Sequence, residues 1–267
     1  MSVDSVVSSC YNMGSVEGNS MVGGIVGILS GIVENCYNIG KVKSNATMVY
    51  KAAGGIAGGI LHDTIIKNCY NDGEIYSGSD GGGIVGNGGR SSHILKIVNC
   101  YNLNKISAVS GAGGIAGRVG TVSGSKIEDI EIINCYNIGS INGESHSSGI
   151  VAAVLANNGE TYVNFSNVLN VGKVAQDSKF VGEIIAQEGK TQSCVLNNCF
   201  YSNSSTNKGV GFGGSTITGE TTATSIDSSL ITTLNEYVAS YNEANINNED
   251  FVELKLWKLD GQTVKFK

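Results

Sequence analysis

The sequence predicts an all-β protein. It reads as a parallel β-solenoid (a β-helix, expected to be right-handed) of about seven coils, followed by a small α+β cap at the C-terminus. Three observations predict this. The words NCYNIGKV, NCYNDGEI, NCYNLNKI and NCYNIGSI begin at Asn35, Asn68, Asn99 and Asn134. A second word, GGI followed by Val or Ala and Gly, recurs between them. The 267 residues include 38 glycines and no proline, a composition of short strands joined by tight turns.

Taken along the chain, the repeats are anchored at Cys10, Cys36, Cys69, Cys100, Cys135, Val168 and Cys199, with spacings of 26, 33, 31, 35, 33 and 31 residues. Three residues before each anchor stands an apolar side chain: Val7, Val33, Ile66, Ile97, Ile132, Phe165 and Leu196. One before is Asn, except for Ser9; two after is Asn in all but the last unit; six after is Val or Ile, failing only at Ser205. The pairs Gly24-Ile25, Gly83-Ile84, Gly114-Ile115 and Gly149-Ile150 follow fourteen residues after their anchors, while Gly182 is followed by Glu183, a departure. Each unit therefore holds three β-like pieces too short to be stable alone. Stacking like pieces over one another pairs every backbone group with the coil above or below. Coils about 4.8 Å apart give seven coils a length of roughly 30 Å. Asn and Gly at fixed places suit the corners, because both tolerate left-handed backbone and stacked Asn amides can bond one another.

Nearly all length variation falls in one connection, between Gly-Ile and the next anchor, longest near Arg118–Glu131. Insertions on one side of a solenoid are expected to build a ridge, and such ridges often bind. Arg90, His93, Arg118, Lys126, Glu128, Asp129 and Glu131 are the candidate ridge residues.

The cysteines are the first candidates for chemistry. Six of the seven share one repeat position, no C-x-x-C is present, and Val168 takes the anchor position once. That pattern predicts a packed structural ladder of Cys10, Cys36, Cys69, Cys100, Cys135 and Cys199, with Asn35, Asn68, Asn99 and Asn134 at the bend and tyrosines in a row, rather than disulfides or a zinc site. Whether Cys or Tyr faces inward is open at this level, because a bend after Asn breaks the alternation. His62, His93 and His146 read as solvated connection or corner residues. Acidic density is confined to Glu128, Asp129 and Glu131, with Asp72, Glu74 and Asp80 scattered elsewhere. The glycine run from Gly81 lacks the Lys-Ser/Thr of a phosphate loop. No cofactor is expected.

The GGIVG and NCYNIGKV words together resemble the GLUG repeat, which occurs in tandem in bacterial adhesin-like surface proteins and in non-catalytic regions of immunoglobulin A1-specific metallopeptidases. The resemblance covers about residues 1–215, with Ile25, Ile56, Ile84 and Ile115 where the name has Leu. It implies an extracellular, cell-surface or secreted location, a binding or spacer role, and no catalytic residues.

Residues 216–267 differ in composition. Leu230, Ile231, Leu234, Tyr237, Val238 and Tyr241 mark one face of a helix over about 226–244, with Asp227 or Ser228 as N-cap. A β-hairpin over about 251–266 turns at Asp260-Gly261. The helix face and Trp257 are expected to cover the last coil.

Low charge (15%, net −6) argues against nucleic acid as a partner, and no window of 18 apolar residues predicts a membrane span. The N-terminus starts within a repeat and lacks the features of a signal peptide, as expected of a monomeric piece of a longer chain. The function expected is a non-catalytic module of a bacterial surface protein that binds host glycan, matrix protein or cell wall, or acts as a spacer. The alternatives are a carbohydrate-active β-helix enzyme, which needs a compact carboxylate or basic cluster on adjacent coils, and an accessory region of a larger peptidase.

Overall fold

The computed structural model describes residues 5–45, 51–89, 94–120, 128–155, 161–189, 191, 193–202, 207–213 and 217–267, without the side chain of Glu128. It is a parallel β-solenoid. Each turn runs through a short Gly-rich strand (Asp80–Gly82, for example), a second strand (Val85–Gly88), a corner strand (Ile94–Val98), a bend, the Tyr-Asn pair (Tyr101–Asn102) and the G-x-V strand (Ile106–Ala108). Like pieces pair parallel and in register: Ile97 with Ile66 and Ile132, Tyr101 with Tyr70 and Tyr136, Ile106 with Ile75 and Ile141.

The G-x-V strands form a five-stranded sheet and the Gly-rich strands a six-stranded one. Complete turns therefore number about five rather than the seven units counted in sequence. The reason is local. In the sixth unit the G-x-V strand shrinks to the single bridge Ile141–Val174, and the chain bends over the four residues after Ala175. Ser205, at the matching place in the seventh unit, lies outside the described residues. On the corner face the ladder continues further than expected: Ile217–Thr224 pairs with Ser193–Ser202, so the solenoid passes residue 215.

The interior follows the repeat. Val33, Ile66, Ile97, Ile132 and Phe165 are fully buried beside Ile56, Ile84, Ile115 and Ile150. Val42, Ile75, Ile106 and Ile141 form a second cluster with Ala53 and Ala112. Burying each such aliphatic side chain contributes about 1.5–3 kcal/mol, and only stacking makes that burial available to strands of three residues.

The C-terminal elements are a helix, Ser228–Asn245, whose N-cap Asp227 accepts from the amides of Ser229 and Leu230, and a hairpin, Trp257–Asp260 with Thr263–Phe266. Residues 251–256, expected within the hairpin, are instead an extended segment with no regular ladder. The placement of these elements also differs from expectation. They lie along the side of the rod rather than over its last coil. Leu230, Leu234, Val238, Val252, Leu254 and Trp257 pack on Val98, Ile133, Tyr136 and Leu169, which belong to three inner coils. An apolar helix face fits any apolar strip. The sides of these coils offer one, whereas the end strand Ile217–Thr224 is mostly exposed Thr, Gly and Glu.

Candidate functional site

Each corner is built on one backbone feature. Asn35, Asn68, Asn99, Asn134, Asn167 and Asn198 hold φ between 53° and 57°, with Ser9 at 55°. This left-handed conformation is disfavoured for most side chains, and Asn tolerates it. The reversal resolves which neighbour points inward. Cys36, Cys69, Cys100 and Cys135 are fully buried, each Sγ–H donating to the carbonyl two residues earlier at 3.2 Å. All seven cysteines are free, and among the described residues no group of three or more His, Cys, Asp or Glu could hold a metal ion. Burial pushes the Cys135, Cys194 and Cys199 thiols up to about 12, so they are neutral packing groups.

The tyrosines point outward and stack. Tyr11, Tyr37, Tyr70, Tyr101 and Tyr136 have successive ring centroids 5.3, 5.0, 5.0 and 4.7 Å apart, with planes within 9°.

Two asparagine ladders run along the rod. The inner one links Asn12, Asn38, Asn71, Asn102, Asn137 and Asn170, each Nδ2 donating to the next Oδ1 at 2.7–2.8 Å. The two glycine positions of the repeat are shaped around it. A Cβ on Gly83 would lie 2.7 Å from Asn102 Cγ, and one on Gly139 would lie 2.6 Å from Asn102 Nδ2. The departure at Glu183 ends this ladder: its buried carboxylate accepts from Asn170 and Asn207.

The outer ladder is made of the corner asparagines themselves. Asn99 donates to Asn68 at 3.1 Å, Asn134 to Asn99 and Asn167 to Asn134 at 2.7 Å. Its amides also hold the C-terminal segment. Asn99 Nδ2 donates to the Glu253 carbonyl at 2.8 Å, while Asn99 Oδ1 accepts the Lys255 amide at 3.1 Å. Asn134 Nδ2 donates to the Lys255 carbonyl at 2.9 Å, and its Oδ1 accepts the Trp257 indole at 2.6 Å. From the opposite side, helix residues Asn242 and Asn235 each exchange two bonds with the backbone of Leu254 and Trp257. The segment is thus held between two rows of side-chain amides. Asn235 and Asn242 are seven apart, two turns on one helix face. That spacing was visible in the sequence but was not singled out.

The candidate ridge residues separate. Arg90, His93 and Lys126 lie outside the described residues, as do residues 121–127 of the longest connection and the side chain of Glu128. Arg118 is not on a ridge. It sits in the strand Ala116–Val119, largely buried, 3.0 Å from Asp80, whose carboxyl is pushed up by burial and held down in part by that guanidinium. Asp129 and Glu131 belong to the strand Glu128–Ile133, and Glu131 pairs with Lys96 at 3.2 Å. With Tyr162, Asn164 and Ser193 they line an open cleft of about 440 Å³ on the outer corner face. His62 and His146 are strand residues. His146 stacks on Phe180 at 5.1 Å, and burial pushes its pKa down.

The repeat geometry now has a counterpart among known motifs. Residues 18–43 match the model of the GLUG motif. The matched GLUG segment spans one passage of GGIVG, corner strand, NCYN and G-x-V, and the later turns carry the same words. The GLUG repeat is a non-catalytic motif, and the chain fits a GLUG-repeat protein. No curated protein and no solved structure gives a significant match. Among the described residues, no helix is long and apolar enough to cross a membrane.

Proposed function

We propose that this chain is a non-catalytic, GLUG-type binding module of a bacterial cell-surface or secreted protein. Its rigid side would be presented to an external ligand: host glycan, matrix protein or cell wall. The observation that carries the reading is the outer corner cleft. Three adjacent coils align Lys96, Glu131, Asp129, Tyr162 and Asn164 on one face, with Tyr162 40% exposed. Hydroxyl-rich ligands are recognised by such sets of amides, carboxylates and an aromatic face. The division of labour inside each coil supports it as well. The repeated Cys and inner Asn are consumed by the scaffold, which leaves the outward positions free to vary.

The test is a panel of glycans and matrix proteins probed with the intact chain. Saturable binding to a member, weakened at least tenfold by Tyr162→Ala with Asn164→Ala, is the expected result. Turnover of a polysaccharide by the purified chain would overturn the non-catalytic reading, and binding indifferent to both substitutions would move the site elsewhere.

A further inference from the structure

The outer asparagine ladder shows, within this chain, how it holds a peptide. At Asn99 one side-chain amide brackets Leu254 by donating to the carbonyl before it and accepting the amide after it. One residue of a parallel neighbouring strand makes the same pair of bonds. Asn134 repeats the donation one coil further on, to Lys255. The C-terminal segment therefore climbs the rod by about two residues per coil, held through its backbone.

The ladder continues past the last of these bonds. Asn68 and Asn35 occupy the next two corners with the same backbone, at φ 57° and 54°. Asn68 accepts from Asn99, but its own Nδ2 has no partner among the described residues; Asn35 is exposed. An open cleft of about 480 Å³ lies here, continuous with the bound segment and bordered by Asn68, Glu34, Lys67 and Val252. The flanking row changes character at this point. Beneath the bonded residues it is Val98 and Ile133, which are buried in the cluster with Leu254; past them it is Lys67 and Glu34, paired at 3.0 Å.

We propose that Asn35 and Asn68 form a binding site for an extended peptide strand of a partner protein, held by its backbone through side-chain amides. The proposal rests on the binding-module reading and names a partner class for a second face. The recognised feature is an unhindered backbone with polar side chains at its flanks, so the site tolerates many sequences but requires free peptide N–H groups.

The probe is a fluorescein-labelled heptapeptide copying Phe251–Trp257 with Thr in place of Val252 and Leu254, which suits the polar border. It is titrated into the intact chain and followed by anisotropy. Saturable binding is expected, weakened at least tenfold by Asn35→Asp with Asn68→Asp. Asp keeps the left-handed corner and the acceptor that Asn99 uses, but removes the donor. N-methylation of alternate peptide amides should abolish binding, while Asn142→Asp on the G-x-V sheet should leave it unchanged. Circular dichroism establishes that the variants fold. No saturable binding up to about 1 mM (about −4 kcal/mol) overturns the proposal. So does binding that survives Asn35→Asp with Asn68→Asp, which would mean that the peptide displaces the chain's own segment at Asn99 and Asn134. Glycan binding at the Tyr162 cleft would be untouched by these variants, so either reading can fail alone.

Discussion

Each corner asparagine has two separable roles: it accepts φ near +55°, and its amide links coils to one another and to the C-terminal segment. Asn134 carries both roles most heavily, with bonds to Asn99, Asn167, Lys255 and Trp257. Asn134→Gly keeps the backbone and loses the bonds, and about 2–3 kcal/mol of stability is expected to go with them. Asn134→Ala adds the left-handed penalty, so it should cost about 1 kcal/mol more in the same urea titration. The thiols make a second prediction. Cys10 is exposed and the other six are buried, so a thiol reagent should modify Cys10 quickly and the rest only on unfolding. The placement of Asn at bends was readable from the sequence, because few residues accept that backbone. The inward face of Cys was not, since one left-handed residue resets the alternation of a strand.

Among the elements, the C-terminal arm is the one whose existence was legible and whose position was not. The apolar spacing of Leu230, Leu234 and Val238 fixes a helix face but says nothing of its partner. The partner becomes visible only once the coils are in register: the residue two before the anchor is Glu34, Lys67, then Val98 and Ile133. That switch from charged to apolar marks the strip the arm covers. The candidate ridge was harder still, because a count of residues between anchors cannot separate strand from connection, and Arg118, Asp129 and Glu131 proved to be strand residues. Trp257 is fully buried against Tyr136 and Phe266. Trp257→Ala should cost about 3–5 kcal/mol in the arm's docking. The solenoid should stay folded, so limited proteolysis would cut near Ser225–Asp227 and leave the repeats intact. Simultaneous loss of both parts would mean that the arm is integral to the rod.

For the whole molecule, stacking commits many groups to one environment, and this predicts a pH dependence. Burial raises the Cys135, Cys194 and Cys199 thiols from 9.0 to about 12, and Tyr101 to about 12 from 10.0. A thiol raised on folding keeps its proton longer in the native state. Its contribution is therefore complete below about pH 9 and is lost as pH climbs toward 12. Each such thiol should steepen the loss by about 1.4 kcal/mol per pH unit in that window. Cys135→Val, the residue that Val168 already supplies in the sixth unit, should flatten the slope by that amount in denaturant titrations from pH 8 to 11.

The central claim is the in-register stack, in which Glu17, Lys43, Tyr76, Ser107 and Asn142 are consecutive neighbours on one sheet. Pulsed electron paramagnetic resonance on spin labels tests it directly. With Cys10→Ser removing the reactive thiol, labels at Glu17→Cys and Asn142→Cys should lie about 19 Å apart, four strand spacings. A Glu17→Cys and Ser107→Cys pair should be shorter by one spacing, about 5 Å. A narrow distance that grows by one spacing per coil is the predicted result. Broad distributions, or a Glu17–Asn142 distance no longer than the Glu17–Ser107 one, would contradict the solenoid.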